Sequence, residues 1–170
     1  MTYIQSKLNG YVIDIREANC SGGTLVQTYP QKPAADPTVG NQLWNLESAA
    51  DSFGGQYVWI KSQLCGLILD STVPPGPGTS TALGTNVVIS TQQQLTTSGQ
   101  GVSQLWIFEP SGQGDGYSYI QNASSNFPPI LVMSVGGWGN TEMGAPIVID
   151  TAVNYEAHQV PSAAQLWRLI

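Results

Sequence analysis

Gln42-Leu43-Trp44 is written three times in this chain, returning as Gln104-Leu105-Trp106 and as Gln165-Leu166-Trp167. The second copy follows the first by 62 residues, and the third follows the second by 61. Spacing that even in a chain of 170 residues marks internal repetition, which decides the architecture before any single residue is read. One domain of residues 1–170 is expected, built from repeats of about 1–52, 53–113 and 114–170.

Each unit reads as four short strands. In the first, Tyr3-Ile4-Gln5-Ser6 meets the turn dipeptide Asn9-Gly10, and Tyr11-Val12-Ile13-Asp14-Ile15 follows. Asn-Gly between apolar runs is a strong hairpin signal. Ser21-Gly22-Gly23 turns the chain into Thr24–Tyr29, and the loop Pro30–Gly40 delivers it to a fourth strand, Asn41-Gln42-Leu43-Trp44-Asn45-Leu46. The second unit keeps this order through Tyr57–Ser62, Leu67-Ile68-Leu69-Asp70, Gly84–Ser90 and Gln104–Phe108. Its loop Pro74-Pro75-Gly76-Pro77-Gly78 is fit for neither strand interior nor helix. The third unit runs through Tyr117–Gln121, past Pro128-Pro129 to Ile130–Ser134, and on to Gly144–Asp150 and Gln165–Ile170.

Twelve short strands at regular intervals predict an all-β protein, and a threefold repeat closes naturally into a β-trefoil with pseudo-threefold symmetry. Each unit then aims one tryptophan at the shared axis. Burying such a ring contributes roughly 4–6 kcal/mol from its apolar area, as an upper bound. The glutamine two residues earlier is placed to bond backbone across a turn.

Charge narrows the partners. Only 9% of residues are charged, with five basic residues and a net charge of −6, which argues against a phosphate backbone as ligand. No basic amphipathic stretch suggests a membrane surface, and no run of apolar residues is long enough to span one. Met1-Thr2-Tyr3-Ile4-Gln5 lacks the charged and apolar regions of a signal peptide, so the expectation is a cytoplasmic protein, with non-classical release as the route outward. Cys20 and Cys65 lie in different units without metal-binding spacing, and are expected to be free thiols in a reducing compartment. The triplets Asn19-Cys20-Ser21 and Asn122-Ala123-Ser124 are then coincidences and not glycosylation sites.

Three Gln-x-Trp motifs, each closing a unit that opens with an Ile-x-Ser-type strand, followed in the first two units by an apolar-apolar-Asp strand, resemble the ricin B-chain-like (R-type) lectins, intracellular fungal ones above all. The resemblance covers essentially the whole chain. It implies glycans ending in galactose or N-acetylgalactosamine as partners, with up to one shallow site per unit, no cofactor and no metal. The family's pattern falls on Asp14, Gln27, Tyr29, Asn41 and Gln42 of the first unit. The chemistry suits a sugar. A carboxylate accepts bonds from adjacent hydroxyls, a side-chain amide both donates and accepts, and a tyrosine face covers the C–H side of a pyranose. Dissociation constants on the order of 0.1–1 mM, about 4–5 kcal/mol, suit so open a site, and avidity then comes from several sites or a homodimer.

The second unit keeps Asp70 but has Ser90 in place of the ring and Ser103 before its glutamine, which leaves at most a weaker site. The third has Ser134, Asp150 and Ala164 at the matching positions, although Trp138, Asn140, Asn154 and Tyr155 are available for a different site. Nothing in the chain reads as an enzyme. The single histidine, His158, stands in a polar loop as an inert residue, and no Gly-x-Ser-x-Gly or His-Glu-x-x-His is present. Gly112-Gln113-Gly114-Asp115-Gly116 precedes a strand and is a turn between units, not a phosphate loop. Glu47 and Glu109 recur as repeat surface. The competing reading is a trefoil protease inhibitor, whose probes would be the proline-stiffened loops Pro30–Gly40 and Pro74–Thr81.

Overall fold

The computed structural model describes residues 1–49, 56–72, 83–96, 99–124, 130–137, 140–153 and 162–170. Its strands fall four to a unit: β1 (Ile4–Ser6), β2 (Val12–Ile15), β3 (Thr24–Tyr29) and β4 (Trp44–Ser48) in the first. Then come β5 (Val58–Ser62), β6 (Ile68–Asp70), β7 (Val88–Ser90) and β8 (Trp106–Pro110). The third set is β9 (Ser118–Asn122), β10 (Leu131–Val135), β11 (Ile147–Thr151) and β12 (Trp167–Leu169). Among the described residues no α-helix forms, only short 3-10 turns. The Asn9-Gly10 turn forms as expected. Gly10 takes a φ of +72°, which glycine adopts without strain, and its N–H donates to Ser6 O at 3.0 Å.

The outer strands of the units close on one another. β1 pairs with β12, β12 with β9, β9 with β8, β8 with β5 and β5 with β4. The bridge from Thr2 to Trp44 shuts the ring. Six strands therefore form a barrel without a free edge, which removes the template for edge-to-edge association. The inner strands form three hairpins, β2–β3, β6–β7 and β10–β11, that cap one end. Contacts of β3 with β7, of Asn86 with Val148 and of Gln27 with Pro146 tie the hairpins into a triangle. This is the β-trefoil that the triple motif predicts.

Trp44, Trp106 and Trp167 are fully buried in one cluster with Ile4, Ile60 and Ile120, the matching first-strand residues of each unit. Each indole Nε1 donates to the carbonyl of the second strand of its own unit: Ile13 at 3.2 Å, Leu69 at 3.0 Å and Met133 at 3.1 Å. A large apolar ring thus fills the axis while its one polar atom is satisfied.

Two expectations need correction. The fourth strand of each unit begins at the tryptophan and not at the residues before it. Val39–Gln42, Val102–Gln104 and Ala163–Gln165 are 3-10 turns, because each glutamine amide is held by backbone of the preceding loop and so bends the chain before it enters the barrel. Cys20 and Cys65 are not free thiols but a disulfide, S–S 2.01 Å with Cα atoms 5.3 Å apart. The turn carrying Cys65 packs on the first unit's 3-10 turn, where Gln63 N–H donates to Leu43 O at 2.9 Å. That packing brings the turn to the β2–β3 loop of Cys20, where the two sulfurs bond.

The glycine run before β9 is a turn as expected. Asp115 accepts from Ser111 Oγ and from Tyr117 N–H, and pairs with Lys7 of the first unit at 2.6 Å. The loop Pro74–Thr81, Pro128-Pro129, Trp138, Asn154, Tyr155 and His158 lie outside the described residues.

Candidate functional site

Asp14 sits within the β2–β3 hairpin, directly opposite Gln27 in the register. Cross-strand partners share a face of the sheet, so these two side chains meet without special arrangement. Gln27 Nε2 donates to Asp14 Oδ1 at 3.2 Å. The 3-10 turn brings Asn41 and Gln42 to the other carboxylate oxygen, where Asn41 Nδ2 and Gln42 Nε2 each donate to Oδ2 at 2.9 Å. Asn41 Nδ2 also donates to Ile15 O at 3.0 Å, which fixes the amide's orientation. Four of the five residues singled out in the sequence are therefore one hydrogen-bonded cluster. Tyr29 lies on the same β3 face as Gln27, half-buried.

Sequence reasoning missed the fifth member of this cluster, Lys32. Its Nζ donates to Asn41 Oδ1 at 2.8 Å, stands 3.7 Å from Asp14 Oδ2 and lies 6.0 Å from the centre of the Tyr29 ring. Its backbone N–H donates to Gln42 Oε1 at 2.8 Å, so the loop is pinned onto the site at both ends of the lysine. The available signal was one of only five cations standing between the ring and the asparagine.

The cluster has a depth order. Asp14 and Asn41 are each 2% exposed, whereas Lys32, Gln27 and Tyr29 are only partly covered. The carboxylate is the floor, and the ammonium, the Gln27 amide and the tyrosine ring form the surface. Burial pushes the Asp14 carboxyl above its ordinary value, while the amides of Gln42, Gln27 and Asn41 and the Lys32 charge pull the other way.

Among the described residues the other units lack this combination. Asp70 is buried and accepts from Gln104 Nε2 at 3.0 Å and from Thr72 N–H at 2.7 Å. Among the described residues these partners of Asp70 are an amide and a backbone N–H and not a cation, and Ser90 offers no ring. In the third unit Ser134 Oγ is turned to Val135 O and Gln165 Nε2 to Thr151 O. Asn140 Oδ1 accepts from Glu142 N–H within its own turn. Among the described residues no group of His, Cys, Asp and Glu could hold a metal ion.

The profile of the ricin-type beta-trefoil lectin domain-like family matches residues 40–150, and the chain belongs to that family. No curated protein sequence matches it. Among solved structures it is similar to a designed threefold-symmetric protein, ThreeFoil, with TM-score 0.73, 22% identity and coverage of 99% of this chain and 96% of that one. It is similar to the C-half of an earthworm R-type lectin in complex with GalNAc, with TM-score 0.64, 22% identity and coverage of 99% and 95%. The ricin B-like lectin of Macrolepiota procera in complex with lactose gives TM-score 0.65, 18% identity and coverage of 99% and 94%. The fold is not confined to lectins: a proteinase inhibitor from Coprinopsis cinerea matches with TM-score 0.61, 17% identity and coverage of 99% and 94%.

Proposed function

We propose that the first unit binds the terminal galactose or N-acetylgalactosamine of a glycan and acts as a binding module without catalysis. The observation that carries this reading is the convergence of Asp14, Asn41, Gln27 and Lys32 beside the Tyr29 ring. The ring offers the apolar face against which a pyranose lies, and Lys32 and Gln27 offer a donor and an acceptor at its rim. Asp14 is reached when Lys32 yields its bond to Asn41, so that a sugar hydroxyl takes the ammonium's place beside Asn41 Oδ1 and Asp14 Oδ2. GalNAc and lactose in the two lectin complexes support this choice of sugar.

The inhibitor reading draws on the fold of the Coprinopsis protein and on the loop Pro30–Gly40. Lys32 weighs against it, because both its backbone and its side chain bind that loop to the cluster. Titration against cysteine and serine proteases at micromolar protein separates the two.

A glycan array on the whole protein and retention on a galactose matrix test the proposal directly. Asp14→Ala is expected to lose retention, and Tyr29→Ala, which leaves the polar cluster in place, to weaken binding about tenfold, the scale of one stacked ring. An array silent for galactose and GalNAc, or full retention by both folded variants, removes the reading.

A further inference from the structure

We infer that the first unit's site continues across β3 onto the third unit, so that its ligand is at least a disaccharide whose second ring rests on Gly144 and Pro146. The inference builds on the sugar reading above. Across the hairpin cap, the register runs from Asp14 on β2 to Gln27 on β3 and on to Pro146 ahead of β11. Backbone bonds lock this third row in place: Thr28 N–H donates to Ala145 O at 2.9 Å, and Gly144 N–H donates to Thr28 O at 2.8 Å.

Gln27 faces both ways along that row. Its Nε2 is spent on Asp14, while its Oε1 accepts no hydrogen bond among the described residues. That oxygen is directed at Gly144, where a Cβ would stand 3.8 Å from it. Gly144 has a φ of +85°, so the backbone itself keeps side chains off this spot. Gly144 and Pro146 are both exposed. A free acceptor next to bare backbone and an exposed proline ring offers what a pyranose uses: a partner for one hydroxyl and an apolar surface for its C–H face. On the Oδ2 side of Asp14 stands Lys32, whose backbone N–H is tied to Gln42. A glycan leaving the first ring therefore runs over Gln27 toward the third unit.

Calorimetry on the whole protein with methyl galactoside, lactose, N-acetyllactosamine and melibiose tests this. At least one disaccharide is expected to bind about tenfold tighter than the monosaccharide. Gly144→Asn, a residue that tolerates left-handed backbone, is expected to erase that gain and leave the methyl galactoside affinity within twofold. Pro146→Ala keeps the backbone path and is expected to reduce the gain about threefold, so the test survives if the glycine variant fails to fold. Disaccharides no tighter than the monosaccharide overturn the extension while the single-ring site stands. A gain that persists in both folded variants also overturns it. A protein that binds none of the four sugars removes the underlying sugar reading and the extension together.

Discussion

Asp14 receives the side-chain amides of Gln27, Asn41 and Gln42 while lying almost wholly out of solvent, and these two conditions act on its proton in opposite directions. Burial is the larger influence, so the carboxyl takes up a proton at a higher pH than the ordinary 3.8. For stability the sign is that of a raised acid. Whatever this group contributes is present below its unfolded value and lost as pH rises through the folded one. Sugar binding runs the other way, since a hydroxyl needs the ionised acceptor. Galactoside affinity is therefore expected to fall about tenfold per unit below a midpoint that lies above 3.8, with the circular dichroism unchanged. Affinity that stays flat down to the ordinary carboxylate range would contradict the role given to Asp14. At this scale the family resemblance singled out Asp14, Gln27, Tyr29, Asn41 and Gln42, four of which meet in one hydrogen-bonded cluster. It did not single out Lys32, because a lone lysine in a proline-bearing loop looks the same whether it points to water or to Asn41.

The 3-10 turns show what the repeated glutamine does. Gln42 Oε1 accepts from Lys32 N–H at 2.8 Å and its Nε2 donates to Pro30 O at 3.0 Å. Gln104 does the same with Gln93 N–H and Thr91 O, and Gln165 with Val153 N–H and Thr151 O. Each glutamine pins a third-strand loop to the turn that launches the next strand, and all three are fully buried. Losing one leaves a backbone N–H and a carbonyl without partners, a cost of about 1–3 kcal/mol for each group that stays buried. Gln42 and Gln104 also donate to Asp14 and Asp70, a bond with no counterpart at Gln165 among the described residues. Gln42→Ala and Gln104→Ala are thus expected to destabilise more than Gln165→Ala in urea unfolding. Equal losses would show that the carboxylate bonds add nothing.

For the whole molecule, the decisive facts are contacts between units. The barrel closes through β1 and β12, the first and last strands of the chain, and the Cys20–Cys65 bond crosses from the first unit to the second. That bond spans 45 residues, and in the chain-entropy account a loop of this length restrains the unfolded state by about 4 kcal/mol. Reduction with a dithiol, or Cys20→Ala together with Cys65→Ala, is expected to lower the unfolding free energy by an amount of that order. A melting temperature indifferent to reductant would mean that barrel closure alone orders these two loops.

The division between chain and fold follows from this. The triple Gln-Leu-Trp, the turn dipeptides and the short apolar strands are local and periodic, so the sequence by itself determined the β-trefoil and the tryptophan core. Three things were decided only by tertiary structure: the disulfide, the ammonium over Asp14 and the place of Gly144 beside Gln27. Each joins an aperiodic position to a partner that a turn, a loop or the closing of the barrel brings near. Repetition predicts what the units share, and these contacts arise where the units differ.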